Sequence, residues 1–500
     1  MFDIPTSPLR RAAAAALALI VLAGCSTADV AADDVTSGAA TSDAATATTD
    51  ENDGADDADV VVSTGSFGAV GTLDSATAHS IELEFDDDDY SAMLATYTST
   101  GDKEWIEATI TIDGETYERV GIRLKGNSSL GAVGSDDDPA TIPWLIKLDK
   151  FVDGQNHDGL TDLVVRSNST ETAINEAVAL ELLEAAGLAS QDAISVAFSV
   201  NGGDAALRLV IEHPDDTWMS EEFGDDGALY KAESTGDYSY RGDDPDAYDD
   251  VFDQEAGDDN ADLDPLIDFL QFVNESDDET FAAELDDWLD VDAFATYLAM
   301  QDLIGNFDDI DGPGNNSYLF YDTEAERFTV VAWDHNLAFG VQNVGDGGPG
   351  QMPGGGERPG TGDLPEPGDM PGMGDRPDPG DLPDPGDLPE PGDMPDVGDL
   401  PEPGDMAGMG DRPQRPGGDT GAGGGDPMGG SNILVERFTA VDDWSRLVDD
   451  RTTELRAALY DSGLAADIVA TWTETVVSTG LVDQATADAD AAQILAMVGS

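Results

Sequence analysis

Between Gly362 and Asp411 a Gly-Asp pair recurs every six residues, usually with proline between the pairs. Proline lacks an amide donor and glycine lacks a side chain to pack, so this repeat forms neither helix nor buried sheet. Residues 345–431 therefore read as a long disordered insertion rich in Pro, Gly and Asp, extended and acidic. A calcium-binding repeat is the other reading, but the pattern does not match the Gly-rich β-roll type. Whatever folds must come from the residues on either side. Helical periodicity resumes over residues 432–459, with Leu434, Phe438, Trp444, Leu447, Leu455 and Leu459 as its apolar positions, and residues 464–498 also read as helical. The expectation is one domain, residues 76–344, completed by a helical part over 432–500.

Charge narrows the function classes. The 500 residues include 21 basic and 106 acidic side chains, a net charge of −85. A polyanion of this kind repels nucleic-acid backbones, so nucleic acid is excluded as a partner. Dense carboxylate with little lysine suits a protein that stays hydrated in strong salt, and a halophilic source is expected. The acidic linkers contribute much of the total. The single cysteine, Cys25, rules out an intrachain disulfide. Arg10 and Arg11, an apolar run and Leu22-Ala23-Gly24 precede it, which reads as a signal peptide over residues 1–24. The Leu-Ala-Gly-Cys ending looks like a bacterial lipobox, so Cys25 is the expected lipidation site of a protein held outside the cytoplasm on a bacterial membrane. An ordinary signal peptide and an N-terminal membrane anchor are the alternatives, although the apolar run is short for a span. Residues 25–75, rich in Ala, Thr, Asp and Gly, read as a disordered acidic tether.

From residue 78 the composition changes. Residues 80–85 alternate as a strand, and 90–97 suit a helix. Residues 105–112 and 117–124 flank Asp113-Gly114, a strong hairpin signal. The hairpin runs into Lys125-Gly126-Asn127-Ser128-Ser129, a small flexible loop whose amides could approach a phosphate, though the same residues also make an ordinary turn. A strand is predicted over 144–151, with Lys147 in its middle and Lys150 near its end. A helix is predicted over 172–186, closed by Gly187. Glu181 falls on its apolar face with Ile174 and Val178 and calls for a cation, for which Lys147 is the natural candidate. The alternative is a glutamate at the edge of the face, reaching water. Strands are predicted at 193–200, 206–212 and 228–231, and helices at 265–273, 279–288 and 291–304. Residues 234–263 read as an exposed acidic excursion.

The chain is organised around residues 306–340. Two short strands, 317–321 and 327–332, carry acids and amides at their ends: Asp308 and Asn316 before the first, Asp334 after the second. Carboxylate and amide oxygens are the ligands that a hard cation such as Mg²⁺ takes while it holds phosphates. Val330, Val331, Trp333, Leu337 and Phe339 would otherwise bury Asp334 unpaired, which is costly. Asp309 and Asp311 crowd the same loop and compete for these roles, Asn315 competes with Asn316, and Lys150 competes with Lys147. A calcium-stabilised structural protein, with Asp308, Asp309 and Asp311 as its cation loop, is a further reading of the same residues.

In order, these motifs resemble a known family. Val120-Gly121-Ile122-Arg123-Leu124-Lys125-Gly126-Asn127-Ser128-Ser129 is similar to the opening of CotH-type proteins, the spore-coat kinase family. Ile146-Lys147-Leu148-Asp149-Lys150-Phe151, Ala179-Leu180-Glu181-Leu182, Leu209-Val210-Ile211-Glu212 and Leu229-Tyr230-Lys231 resemble its next elements. Asn306-Phe307-Asp308, Asn316, and Trp333-Asp334 with Phe339-Gly340 resemble its most recognisable block. The resemblance implies an α+β, two-lobed atypical protein-kinase-like fold that transfers the ATP γ-phosphate to Ser or Thr hydroxyls of a secreted or surface protein, its own chain included. It also implies roles. Asp308 would orient the acceptor hydroxyl, Asn316 and Asp334 would bind Mg²⁺ or Mn²⁺, and Lys147, held by Glu181, would contact the phosphates. Gly126, Asn127, Ser128 and Ser129 would cover them. The alternative is a surface adhesin or binding lipoprotein on the same fold. Asn316 follows Asp308 by eight positions, wider than in ordinary protein kinases, and the insertion begins where such a kinase has its activation segment.

Overall fold

The computed structural model describes residues 68–341 and 432–499, except 127, 131–132, 135–136, 234–235, 258–261 and 313–314. The signal peptide, Cys25, the tether and the hexad insertion lie outside the described residues. All described residues belong to one compact unit, Asp59–Ser500.

In chain order the strands are β1 (Ala69–Val70), β2 (Leu73–Asp74), β3 (Ala78–Phe85), β4 (Ile106–Ile112), β5 (Glu115–Leu124), β6 (Trp144–Lys147), β7 (Asp162–Val165), β8 (Ala193–Val200), β9 (Ala206–Glu212), β10 (Gly227–Ala232), β11 (Phe252–Ala256), β12 (Ser317–Asp322) and β13 (Arg327–Ala332). The helices are α1 (Asp87–Thr100), α2 (Ile174–Ala185), α3 (Asp216–Glu222), α4 (Asp264–Glu275), α5 (Asp278–Glu284), α6 (Val291–Ile304), α7 (Ile433–Ala440), α8 (Asp442–Leu455), α9 (Leu464–Ser478) and α10 (Gln484–Val498).

Seven strands close into a barrel in the order β3-β4-β5-β6-β7-β9-β8. Neighbours are antiparallel except at the closing joint, where β3 runs parallel to β8. The β4–β5 hairpin turns at Asp113 and Gly114, both with positive φ, the backbone that a tight two-residue hairpin requires. Alternate side chains then point opposite ways. Ile122, Leu124, Trp144, Ile146, Leu163 and Val165 fill the barrel. Leu145, Val164, Leu209 and Ile211 point outward and join a second core. Both faces of these strands are buried, so they read as unbroken apolar runs.

The second core holds α2, the antiparallel sheet β11-β10-β12-β13 and the helices α4 and α6–α10. The segment after residue 431 is built into it. Asn432 Nδ2 donates to the Ile310 carbonyl at 3.2 Å, and Tyr460 hydroxyl donates to the Leu303 carbonyl at 2.7 Å. The fold is thus α+β. The kinase-like resemblance led to an expectation of two lobes, but the strands close a barrel whose outer residues belong to the same core as the sheet and helices. Among the described residues no helix is long and apolar enough to cross a membrane.

Two local expectations need correction. The strand expected over 144–151 ends at Lys147: Leu148 still donates to the Thr161 carbonyl opposite it at 2.7 Å, and the chain then turns, with Lys150 N donating back to the Lys147 carbonyl at 3.4 Å. The excursion at 234–263 is not fully exposed. Tyr238 and Tyr248 are completely buried, and β11 pairs with β10. Acidic composition dominates that stretch, but a few aromatic residues anchor it: Tyr238 hydroxyl shares a 2.9 Å hydrogen bond with Ser317 Oγ.

Candidate active site

The ribbon β12–β13 pairs Ser317 with Ala332, so Asn316 and Trp333-Asp334 extend from the same end. Helix α6 delivers the loop that precedes it, and Gly305 ends that helix in the left-handed conformation. Asn316 Nδ2 donates to the Asp308 carbonyl at 2.8 Å and Asn316 N to the Asp309 carbonyl at 3.1 Å. The structure therefore brings Asp308 and Asn316 together, with the Asn316 amide nitrogen committed to the Asp308 carbonyl. Asp334 adopts φ 61°, a left-handed conformation that aspartate tolerates better than most residues. The turn behind it is clamped by Asn175 of α2, whose Nδ2 donates to the Asn336 carbonyl at 2.7 Å.

The alternatives within the loop are tied down. Asp309 accepts from the Asp311 amide at 3.0 Å, and burial, with Asp311 nearby, pushes its carboxyl up to about 7. Asp311 accepts from the Asn432 amide and so anchors the start of α7. Asn315 sits at φ 48°.

Trp333 is the centre of the constellation. Tyr318 meets its ring edge-on at 5.4 Å. Lys125 Nζ and the Arg166 guanidinium each lie 5.7 Å from the ring centroid. Arg166 pairs with Asp334, and with Glu176 of α2 at 2.7 Å. Burial would lower the Arg166 pKa, but the carboxylates of Asp334 and Glu176 outweigh it and hold the guanidinium charged. Lys125 Nζ lies 3.0 Å from His213 Nε2. Burial, then repulsion from Lys231, Arg123 and Lys103 against the attraction of Glu255, brings the Lys125 ammonium down to about 8. His213 is buried and pushed well below its usual range by burial and then by Lys125, Arg123, Lys147 and Lys231, so its imidazole is neutral and accepts from Lys125.

Lys147 and Glu181 do not meet. Lys147 Nζ pairs with Asp162 at 3.1 Å and with Asp149 at 3.6 Å. Those carboxylates raise its pKa against the lowering effect of burial. Lys150 is elsewhere again, its Nζ 4.8 Å from the Trp105 ring. Glu181 lies among Glu184, Asp192 and Ser75. Facial periodicity misleads here because α2 is buried on nearly all sides, and the glutamate that finds a cation is Glu176. Arg166, Glu176, Lys125 and His213 were not assigned from the sequence. The only signal for Arg166 was a charge directly after the apolar run of β7.

In the loop expected to cover phosphates, Gly126 has φ 109° and a Cβ there would collide with Ser129 Oγ, so glycine is required. Ser128 begins a short 3₁₀ turn, Ser128–Leu130. Asn127 lies outside the described residues.

The carboxylates around Glu181 make a separate prediction. Burial first, then their mutual repulsion, brings Glu181 to about 8, Glu184 to about 7 and Glu222 to about 7. Burial raises Asp192 to about 6, and Glu212 is raised well above its usual range. Each folded-state pKa lies above the unfolded one, so the fold holds extra protons between about pH 4.5 and 8. Stability must fall as pH rises through that window. The melting temperature should be higher at pH 6 than at pH 8, and Glu212→Gln should narrow the difference. A melting temperature that is flat or rising over this range would contradict the assignment.

The donor set suits a Mg²⁺ ion shared with a nucleotide. Such an ion takes one or two protein carboxylates and fills its octahedron with phosphate oxygens and water. Asn316 Oδ1 and the partly exposed Asp334 carboxylate could supply the protein's share. Among the described residues no three acidic, His or Cys side chains converge into a cage.

No curated protein matches the chain. The family model described as CotH kinase protein matches residues 122–369. The match begins in β5, before the loop expected to cover phosphates, and runs through the ribbon that carries Asp308, Asn316 and Asp334. The motifs stand in family order and the acid and amide ends gather at one end of the β12–β13 ribbon, and the match supports the resemblance to the CotH kinase family.

Proposed function

We propose that the protein transfers the ATP γ-phosphate to Ser or Thr hydroxyls of a secreted or cell-surface protein, its own tether among them. One observation carries the reading. In a chain with 106 acidic and 21 basic residues, two cations, Lys125 and Arg166, each lie 5.7 Å from the Trp333 ring centroid, next to Asp334. Carboxylates offset part of this charge, Glu255 near Lys125 and Asp334 with Glu176 at Arg166, and the cations beside the acid and amide end suit a phosphate anion such as the triphosphate that kinase-like folds hold.

In this reading the barrel and the sheet-and-helix layer take the places of the two lobes. Asp308 orients the acceptor hydroxyl and takes its proton. Lys125 contacts the phosphates, being held by His213 and, among the described residues, in no direct carboxylate pair, whereas Lys147 is held by Asp162 and Asp149. Arg166, braced by Glu176, fixes the Asp334 carboxylate so that it and Asn316 can hold the divalent ion. When bound, that ion neutralises charge on the transferred phosphoryl group. Gly126 lets the backbone come close to the phosphates. Lipidation at Cys25, a bacterial membrane surface and a salt-rich habitat belong to the same proposal and rest on the sequence.

The test uses the chain from Cys25 to Ser500 in strong salt with γ-labelled ATP and Mg²⁺ or Mn²⁺. Expected are label on protein and a rise in melting temperature with ATP and metal together, because a ligand that binds only the folded state stabilises it. Lys125→Met should weaken nucleotide binding at least about tenfold, the loss of one charge-assisted contact, and Lys147→Met should weaken it less. The reverse order would return the phosphate role to Lys147. No label and no nucleotide-dependent stabilisation would remove the kinase reading and favour a surface-binding protein.

A further inference from the structure

Behind the ribbon, three buried polar side chains connect the segment bearing Asp308 to the segment bearing Asp334. Gln301 of α6 is 2% exposed, Asn306 5% and His335 0%. The Asp308 amide points to Asn306 Oδ1 at 3.4 Å, a long contact. Asn306 Nδ2 donates to Gln301 Oε1 at 3.0 Å. Gln301 Nε2 lies 3.2 Å from His335 Nε2. Once the Asp308 amide donates, each later group must donate in the same direction. His335 Nε2 is then the acceptor at the end of the series, and its ring proton sits on Nδ1.

This arrangement is costly to bury unless it does something. An apolar triad of similar size would fill the same space without needing matched donors and acceptors. Asn306 is also doubly tied to Gln301, since its amide donates to the Gln301 carbonyl at 3.1 Å. Asn175 clamps the turn at Asn336 from the α2 side, so the Asp334 turn is gripped from two helices.

We infer that Gln301, Asn306 and His335 are positioning residues that hold the Asp308 loop in register with the Asp334 turn. The inference rests on the phosphotransfer reading, in which an acceptor-orienting carboxylate and a metal-holding carboxylate must keep a fixed separation. They come from two chain segments linked by the β12–β13 ribbon, and a displacement near 1 Å between reacting groups can cost on the order of 100-fold in rate.

The test compares wild type, His335→Phe, Gln301→Met, their double variant and His335→Gln, each as the chain from Cys25. The readings are kcat for label transfer, KM for ATP and melting temperature. Expected is a kcat loss of about 10- to 100-fold in either single variant, with KM for ATP changed by less than about threefold. The double variant should lose little more than one single variant, because both break the same connection. His335→Gln, whose amide oxygen can accept from Gln301, should recover most of the rate. A lowered melting temperature with kcat intact, additive losses, or no recovery with glutamine would overturn the inference while leaving wild-type phosphotransfer standing. If His335→Phe does not fold, Gln301→Met reads the same connection. Wild type without any transfer would instead remove the phosphotransfer reading, and this inference with it.

Discussion

Asp308→Asn should lower label transfer by about 100- to 10,000-fold, the usual contribution of a positioned general base. Nucleotide binding, read by ATP-dependent stabilisation, should change by less than about threefold if Asp308 serves the acceptor, as proposed, and not the phosphates. Asp334→Asn should differ in kind. It removes a charge from the expected metal site and from the Arg166 pair, so transfer and metal-dependent nucleotide stabilisation should fall together. The contrast between the two variants is the informative result. Transfer that is equal in wild type and both variants would mean that neither carboxylate takes part. An Asp308→Asn variant that loses nucleotide binding as well would move Asp308 to the phosphate side.

The second large effect concerns stability. Arg166→Leu leaves Glu176 as a buried carboxylate without its cation. Breaking a buried pair by removing one partner costs about 3–5 kcal/mol, which corresponds to a melting-temperature loss on the order of 10 °C. The pH dependence has a definite sign. Burial raises the Glu176 pKa above that of the unfolded chain even with Arg166 in place, and removing the cation raises it further. The variant's deficit should therefore be largest near pH 8 and shrink as the pH falls toward 5, where the carboxyl accepts a proton. Arg166→Leu combined with Glu176→Leu should recover much of the loss, because an apolar pair has no unpaired charge to bury. A deficit independent of pH, or no recovery in the double variant, would show that Arg166 does not stabilise through Glu176.

Much of the local structure was readable without coordinates. β8, β9, β13 and α6 lie at the bounds expected from the sequence, because each is a largely apolar run with a clear stop. The four-residue β7 was not read, since its pattern is too short to separate from loop. β11 was hidden by the acidic residues around it. The approach of Asp308 to Asn316 was also readable, because one short loop and one strand start carry both.

The ion pairs were not readable. Sequence spacing suggested Lys147 with Glu181, whereas the fold joins Lys147 to Asp162 across the β6–β7 pair. Arg166 joins Asp334 across 168 positions of chain. Sequence by itself determined most of the local elements, the Pro, Gly and Asp composition of the repeat, the excess of acid and the resemblance to the family, because these follow from period, composition and ordered motifs. Tertiary structure alone decided which cation meets which carboxylate. That choice depends on distances through space and on the burial of α2 on nearly all sides, which leaves periodicity nothing to distinguish Glu176 from Glu181.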